Sequence, residues 1–358
     1  MIPIAKPFIG EEEIQAVSKV MRSGMIASGE EVTLFEKEFA EFCGTKEAIA
    51  TNNGTTALHT GLLVCGIRPG DEVIVPSFTF IATATSVSMC GAHPVMVDIS
   101  EDSFGISPDA IIEAITPKTK AIMGVHLFGH PCNIPAIMDI CEEHQLFFIE
   151  DCAQAHGATY SGKQVGSFGS LGCFSFYPTK NMTTGEGGII TTNDSSLAAH
   201  ARKLINHGQE KKYLHTEIGY NYRMTNICAA IGRVQLKKID SINSARMGNA
   251  AYYSKNLCHS GIITPQTLNQ CSHVFHQYVI RVKDGKRDDL ASWLLKHDIG
   301  SAVHYPVPVH EQPVFSGLSN PPCPVSSRLA QEVLSLPVYP GLSEGELNYI
   351  CNVINRWS

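Results

Sequence analysis

Lys180 lies in Ser175-Phe176-Tyr177-Pro178-Thr179-Lys180-Asn181-Met182-Thr183-Thr184-Gly185-Glu186-Gly187-Gly188, between an apolar run and a glycine-rich turn. Leu171 to Phe176 reads as a short buried strand upstream, and Gly187 to Thr192 reads as another downstream. A lysine held between two buried strands sits near the interior, where burial disfavours the ammonium form and lowers the pKa. The neutral amine that results can attack a carbonyl and form a Schiff base. A solvated loop lysine is the commoner case, so this chemistry needs partners elsewhere in the chain.

Two segments supply them. Phe147-Phe148-Ile149-Glu150-Asp151-Cys152-Ala153-Gln154-Ala155-His156-Gly157 is an apolar strand that ends in two acids. The carboxyl ends of strands in open α/β sheets face the ligand crevice, so Asp151 points toward a site. Pyridoxal phosphate needs such a pair, a lysine for its internal aldimine and a carboxylate that keeps the pyridine nitrogen protonated. An acid that merely caps the next helix or turn is the structural alternative. Thr51-Asn52-Asn53-Gly54-Thr55-Thr56-Ala57-Leu58-His59 opens a helical pattern that runs through Leu62 and Leu63. Gly54 lets the backbone approach closely, and a helix N-terminus offers free N–H groups to an anion such as a phosphate. An ordinary Asn/Thr helix cap has the same composition.

The order of Gly54-Thr55-Thr56-Ala57-Leu58, Gly70 to Pro76, Val125-His126-Leu127-Phe128-Gly129, Glu150 to Gln154, Ser175 to Gly188 and Gly219-Tyr220-Asn221-Tyr222-Arg223-Met224 closely resembles the DegT/DnrJ/EryC1/StrS family of sugar aminotransferases, over nearly the whole chain. The resemblance implies an aspartate-aminotransferase-like α/β fold, fold type I of the pyridoxal-phosphate-dependent transferases. Its large domain has a mostly parallel sheet, and a smaller α+β domain follows at the C-terminus. It implies Lys180 as the aldimine lysine and proton shuttle, Asp151 as the pyridinium partner, and Gln154 as a contact to the cofactor ring. Phe80 matches the aromatic residue that stacks on that ring, while Gly54, Thr55 and Ser175 match phosphate contacts. Asn221 matches an asparagine that reaches the phosphate from the neighbouring subunit, which implies a homodimer with shared active sites. His304 and Tyr305 match a segment near the sugar nucleotide, although a Pro-rich connection with a structural tyrosine would look alike.

The implied reaction moves the amino group of glutamate onto a keto sugar carried by a nucleotide, in two half-reactions through one site. The product is an amino sugar for a surface polysaccharide, lipopolysaccharide or other glycan. Some relatives carry histidine in place of the lysine and remove a hydroxyl; Lys180 favours transamination. A sugar dehydratase of the same family and a non-catalytic binding or regulatory relative are the alternatives. Tyr220 to Gly232 resembles relatives that aminate C4 of the sugar, whereas Ala302 to Pro308 resembles relatives acting at C3, so the ring carbon stays open, as does the nucleotide.

Composition agrees with this picture. A chain of 358 residues exceeds what one core usually supports, so two domains are expected, a large cofactor-binding domain over 1–240 and a small one over 241–358, with packing of the N-terminal segment on the small domain as an alternative. The net charge of −7 and the lack of any basic run argue against a nucleic-acid partner, since Lys211-Lys212 and Lys237-Lys238 are isolated pairs. The 12 cysteines are scattered without CxxC spacing and no secretory leader is legible, which points to reduced thiols in the cytoplasm. No apolar run is long enough to span a membrane. A metal site is not expected, because Gly129 and Pro131 interrupt the His126/His130 pair and His273/His276 fall in a strand-like run. Gly157 to Lys163 begins like a P-loop, but Gln164 stands where the magnesium-binding hydroxyl belongs, and the flanks favour a turn between short strands.

Apolar strands at Val73-Ile74-Val75, Pro94 to Val97, Ala121 to Val125, Phe147 to Ile149, Phe174 to Phe176 and Ile189-Ile190 alternate with helical patterns. One such pattern is Val32, Phe35 and Phe39, with Glu36 and Lys37 facing outward. The alternation predicts a mostly parallel sheet covered on both faces. After the helix that contains Ala229 to Leu236 the pattern changes near residue 240. Val274 to Val282 then reads as a strand, and Leu290 to Leu295 as part of a helix.

Overall fold

Apolar runs that are continuous rather than alternating suit strands buried on both faces, and here they pair into one large sheet. In the computed structural model, which describes residues 1–357, its seven strands lie in the lateral order Glu47–Thr51, Gly188–Thr192, Leu171–Ser175, Phe147–Asp151, Thr119–Val125, Glu72–Pro76 and His93–Val97. Gly188–Thr192 runs antiparallel to both its neighbours, and the other pairings are parallel.

Successive residues of a strand point to opposite faces, so each strand feeds two cores. Phe174 and Ile189 join Phe35 and Phe39 under the helix Glu30–Cys43, where the Phe39 and Phe174 rings meet edge to face at 5.0 Å. Cys173 and Ile190 join Leu58, Leu62, Val73 and Val75 under the helices Gly54–Val64, Ala82–Met89 and Ser195–Leu204. Glu36 departs from the expected outward position: it is half-buried and accepts the Ala50 N–H at 2.8 Å. The helical pattern marks its angular position, but a carboxylate beside a strand end finds a backbone donor there.

A second, antiparallel sheet has the order Ile262–Ile263, Tyr278–Val282 and Val333–Leu336. Its core gathers Tyr253, Tyr278, Leu290, Leu294, Leu334, Ile350 and Ile354 with the helices Arg287–Lys296 and Glu344–Asn355. The expected strand from Val274 begins only at Tyr278, because Phe275 adopts a positive φ of 44° that an extended strand does not permit. The helix Asn226–Asn256 runs through residue 240 without a break. Its buried positions Ile239, Ile242, Arg246, Ala250 and Tyr253 keep helical spacing, so its first half packs on the large sheet and its second half on the small one. At the N-terminus, Ile2 pairs with Ile299 and packs against the second core.

Thr159–Tyr160 and Lys163–Gln164 form a hairpin closed by Ser161 and Gly162 at φ 49° and 78°, which accounts for the glycine and lysine spacing there. Among the described residues no helix is long and apolar enough to cross a membrane.

Candidate active site

Asp151 and Ser175 stand at the carboxyl ends of two adjacent parallel strands, Phe147–Asp151 and Leu171–Ser175, so the fold delivers both to one edge of the sheet. Lys180 follows in a turn that the next threonines secure. Thr183 Oγ1 donates to Phe176 O at 2.8 Å, Thr184 N–H donates to the same carbonyl at 3.0 Å, and Lys180 N–H donates to Tyr177 O at 2.9 Å. Lys180 is half-buried, and desolvation of its ammonium lowers the pKa to about 8 against the opposing pull of the Asp151 charge. Burial raises the Asp151 carboxyl above its ordinary value, while the Ala153 N–H, the Thr83 hydroxyl and the Lys180 charge draw it back. The Ala153 N–H lies 3.1 Å from Oδ1 and the Thr83 hydroxyl 2.9 Å from Oδ2, so the carboxylate has one orientation.

Gln154 is held from both ends of its amide. Oε1 accepts the Phe128 N–H at 2.8 Å, and Nε2 donates to the Tyr305 hydroxyl at 3.0 Å. The expected ring contact and the expected sugar-side tyrosine are therefore linked to each other. The Tyr305 ring lies 6.0 Å from that of Phe80, which is 52 % exposed and free to cover a ligand. His304 turns the other way, with Nδ1 2.8 Å from Ser335 Oγ; burial and the Lys180 charge both lower its pKa.

The third corner is the helix Gly54–Val64. Asn53 caps it, taking the Thr56 N–H on Oδ1 at 2.9 Å and the Ala57 N–H on its carbonyl at 3.2 Å. Among the described residues this leaves the Gly54 and Thr55 N–H groups without a partner. A Cβ on Gly54 would stand 2.6 Å from the Ser175 Cβ, so only glycine admits this approach of helix end to strand end. Two open N–H donors and a serine hydroxyl thus converge at a positive helix terminus. Asn221 is near but separate: Asn52 N–H donates to Tyr222 O at 2.8 Å, while Asn221 is exposed and bridges to Asn206.

The structure adds residues that motif reading passed over. Thr83 orients Asp151 and also meets Thr79 of the preceding loop, Oγ1 to Oγ1 at 3.1 Å; two threonines four residues apart are the signal the sequence carries. Behind Asp151, Glu150 is fully buried and accepts the N–H groups of Gly166, Phe168 and Gly169, each at 2.8 Å. His126 completes the set: Cys132 N–H donates to its Nδ1 at 3.1 Å, so Nε2 bears the proton and donates to Glu150 at 3.0 Å. The glycines at 166 and 169 therefore expose backbone donors to a buried acid. No spacing rule identifies such a pairing in advance.

Comparison with known proteins follows the same lines. The DegT/DnrJ/EryC1/StrS aminotransferase family matches residues 7–355. The GDP-perosamine synthase of Caulobacter vibrioides is 40 % identical over 362 residues, covering 99 % of this chain and 98 % of that protein. A Geobacillus stearothermophilus protein named as a pleiotropic regulatory protein is 41 % identical over 349 residues, with 96 % of this chain and 93 % of the relative covered. The solved structure of Streptomyces venezuelae DesV in complex with a ketimine intermediate superposes with a TM-score of 0.93 at 40 % identity, covering 97 % of this chain and 94 % of that one. With this site on this fold, the chain belongs to the DegT/DnrJ/EryC1/StrS family and is an aminotransferase dependent on pyridoxal phosphate.

Proposed function

We propose that the enzyme transfers the amino group of glutamate to a keto sugar carried by a nucleotide, making an amino sugar for polysaccharide or glycan synthesis in the cytoplasm. The observation that carries this reading is the lysine amine held near pKa 8 beside an oriented buried carboxylate. Relatives named as GDP-perosamine synthase and dTDP-amino-sugar transaminases support the substrate class.

The residues fit pyridoxal phosphate. The open Gly54 and Thr55 N–H groups and Ser175 offer a cradle for its phosphate, and Asp151 a partner for its ring nitrogen. Phe80 would cover the ring, Gln154 would touch its edge, and Lys180 would hold it covalently. When bound, the cofactor supplies an electron sink for the substrate carbon that loses its proton. Lys180 Nζ would be the base that takes up that proton and gives it back, a task suited to an amine whose pKa is brought down to about 8. Asp151 would supply a fixed negative charge to partner the ring nitrogen, since Thr83 and Ala153 occupy one lone pair on each of its oxygens. Tyr305, set by Gln154, would line the sugar side, while His304 is held on Ser335. Asn221 serves the phosphate of the partner subunit in a homodimer, which its exposure permits. The large unit over 1–240 and the small one over 241–358 share the long helix Asn226–Asn256.

The test is to incubate the enzyme with nucleotide amino sugars and 2-oxoglutarate and to measure glutamate released. Release with at least one sugar is expected, and which sugar responds identifies C3 or C4. A regulatory relative would instead bind the cofactor, or nothing, without turnover on any sugar.

A further inference from the structure

The segment 302–309, which carries Tyr305 to Gln154, is fastened at both ends. At its start Ala302 and Ser335 exchange backbone hydrogen bonds, the Ser335 N–H donating to Ala302 O at 2.8 Å, and His304 Nδ1 lies 2.8 Å from Ser335 Oγ. At its end the Val309 N–H donates to Ser77 O at 2.7 Å. Both anchors lead to the helix Pro324–Glu332. Ser335 stands just beyond its C-terminus on the strand Val333–Leu336, and Ser77 Oγ lies 2.5 Å from Ser326 Oγ in its first turn.

That helix has no cap of its own. Pro324 at its first position has no N–H, and Cys323 before it offers no side-chain acceptor to the donors that follow. Asp98, just past the strand His93–Val97, takes the cap's place. Its Oδ2 accepts the Val325 N–H at 2.8 Å, while Oδ1 accepts the Ser326 N–H at 2.9 Å, the Ser326 hydroxyl at 2.7 Å and the Ile99 N–H at 2.9 Å. Since the Ser326 hydroxyl donates to the carboxylate, the Ser77 hydroxyl donates to Ser326, and one directed relay joins the Val309 anchor to Asp98. Glu101 in the same loop grips the far end of the helix. It pairs with Arg328 and, at 2.6 Å, with Arg281 of the small sheet, and Glu332 closes the ring to the same two arginines at 3.1 and 2.8 Å. Phe104 of that loop packs with Phe78, Leu329 and Val333, and Tyr305 lies against this cluster.

We propose that Asp98 is a positioning residue for the sugar nucleotide: by capping the helix Pro324–Glu332 it fixes Ser77 and Ser335 relative to each other, and so holds the segment 302–309 with Tyr305 toward the sugar. This rests on the aminotransferase reading. None of its hydrogen bonds reaches Lys180, Asp151 or the Gly54 helix end, so Asp98 acts on one half-reaction only. In a ping-pong enzyme kcat/KM for each substrate reports its own half-reaction. With a nucleotide amino sugar and 2-oxoglutarate, Asp98→Ala should lower kcat/KM for the sugar by ~10-fold, the scale of a lost helix cap, and leave that for 2-oxoglutarate unchanged. Asp98→Asn keeps the oxygen that takes the Ser326 and Ile99 contacts and should restore the sugar value to within about threefold of wild type. Hydrogen-exchange mass spectrometry of the cofactor-loaded enzyme should show ~10-fold faster exchange in the peptide 302–309 of Asp98→Ala, reversed in Asp98→Asn, with the peptide 171–192 unchanged. Equal losses in both half-reactions, or wild-type exchange over 302–309, would overturn the proposal. If Asp98→Ala does not fold, Ser326→Ala breaks the same relay, and wild-type exchange over 302–309 in that variant overturns it equally. A wild-type enzyme that turns over no sugar would refute the aminotransferase reading alone, because the exchange measurement still decides whether Asp98 holds the segment.

Discussion

The two ends of the proposed cofactor site are built on opposite principles. At the Asp151 end nearly every polar atom already has a protein partner: Thr83 and Ala153 on the carboxylate, Phe128 and Tyr305 on Gln154, and three backbone N–H groups plus His126 on Glu150. At the Gly54 end the protein leaves donors open, two N–H groups at a helix terminus where a glycine holds the approach to Ser175. The first arrangement fixes a charge in place before the reaction, which favours rate. The second waits for a ligand to complete it, which favours affinity.

Substitutions at the two ends should therefore fail in different ways. Asp151→Asn should lower kcat by ~10²–10³-fold, the scale for removing one preorganised electrostatic partner, with cofactor affinity changed far less; steady-state kinetics and cofactor titration read both. Equal losses in rate and affinity would break the distinction.

Lys180 tests the cost of this arrangement in the cofactor-free protein. Its folded pKa of about 8 lies below the ordinary 10.5, so between those values the folded chain binds fewer protons than the unfolded one and stability rises with pH. Lys180→Met should be more stable than the parent at pH 7 by on the order of 2–3 kcal/mol, with the gap shrinking as pH climbs from 8 toward 10.5. Denaturant melts across that window check it. A constant gap would assign the effect to packing.

Gly54→Ala presses a methyl group toward Ser175 and should cost ~1–3 kcal/mol in cofactor binding, leaving kcat near normal once the cofactor is saturating. The smallest effect is expected of Thr83→Val, which removes one hydrogen bond from Asp151. A loss of ~1 kcal/mol, or about fivefold in kcat, should appear without a change in cofactor affinity.

The same contrast governs what could be read before the fold was known. Open ends are made by residue type, so Gly54 and Lys180 were legible from glycine and amine at helix and strand boundaries, whereas Ser175 entered only through the family resemblance. The alternation of apolar runs was enough for the large sheet, because strands covered on both faces carry their burial in composition. Wired contacts join residues far apart in the chain, as Glu150 with Gly166 to Gly169, Gln154 with Tyr305, and Arg246 with His276. Their partners are backbone groups or long-range neighbours, which no local period records. The helix across residue 240 was hidden for a related reason: its exposed face changes while its buried face continues onto a second core. Glu36 and Phe275 depart from their expected places because single backbone contacts or angles outweigh the pattern around them.

The central claim is that Lys180 is the residue that holds the cofactor. Borohydride reduction of the pyridoxal-phosphate-loaded enzyme, followed by proteolysis and mass mapping of the labelled peptide, addresses it directly. The account predicts the label on the peptide carrying Lys180 and its loss in Lys180→Ala that folds normally; a label on any other lysine, or undiminished labelling and turnover in Lys180→Ala, would contradict it.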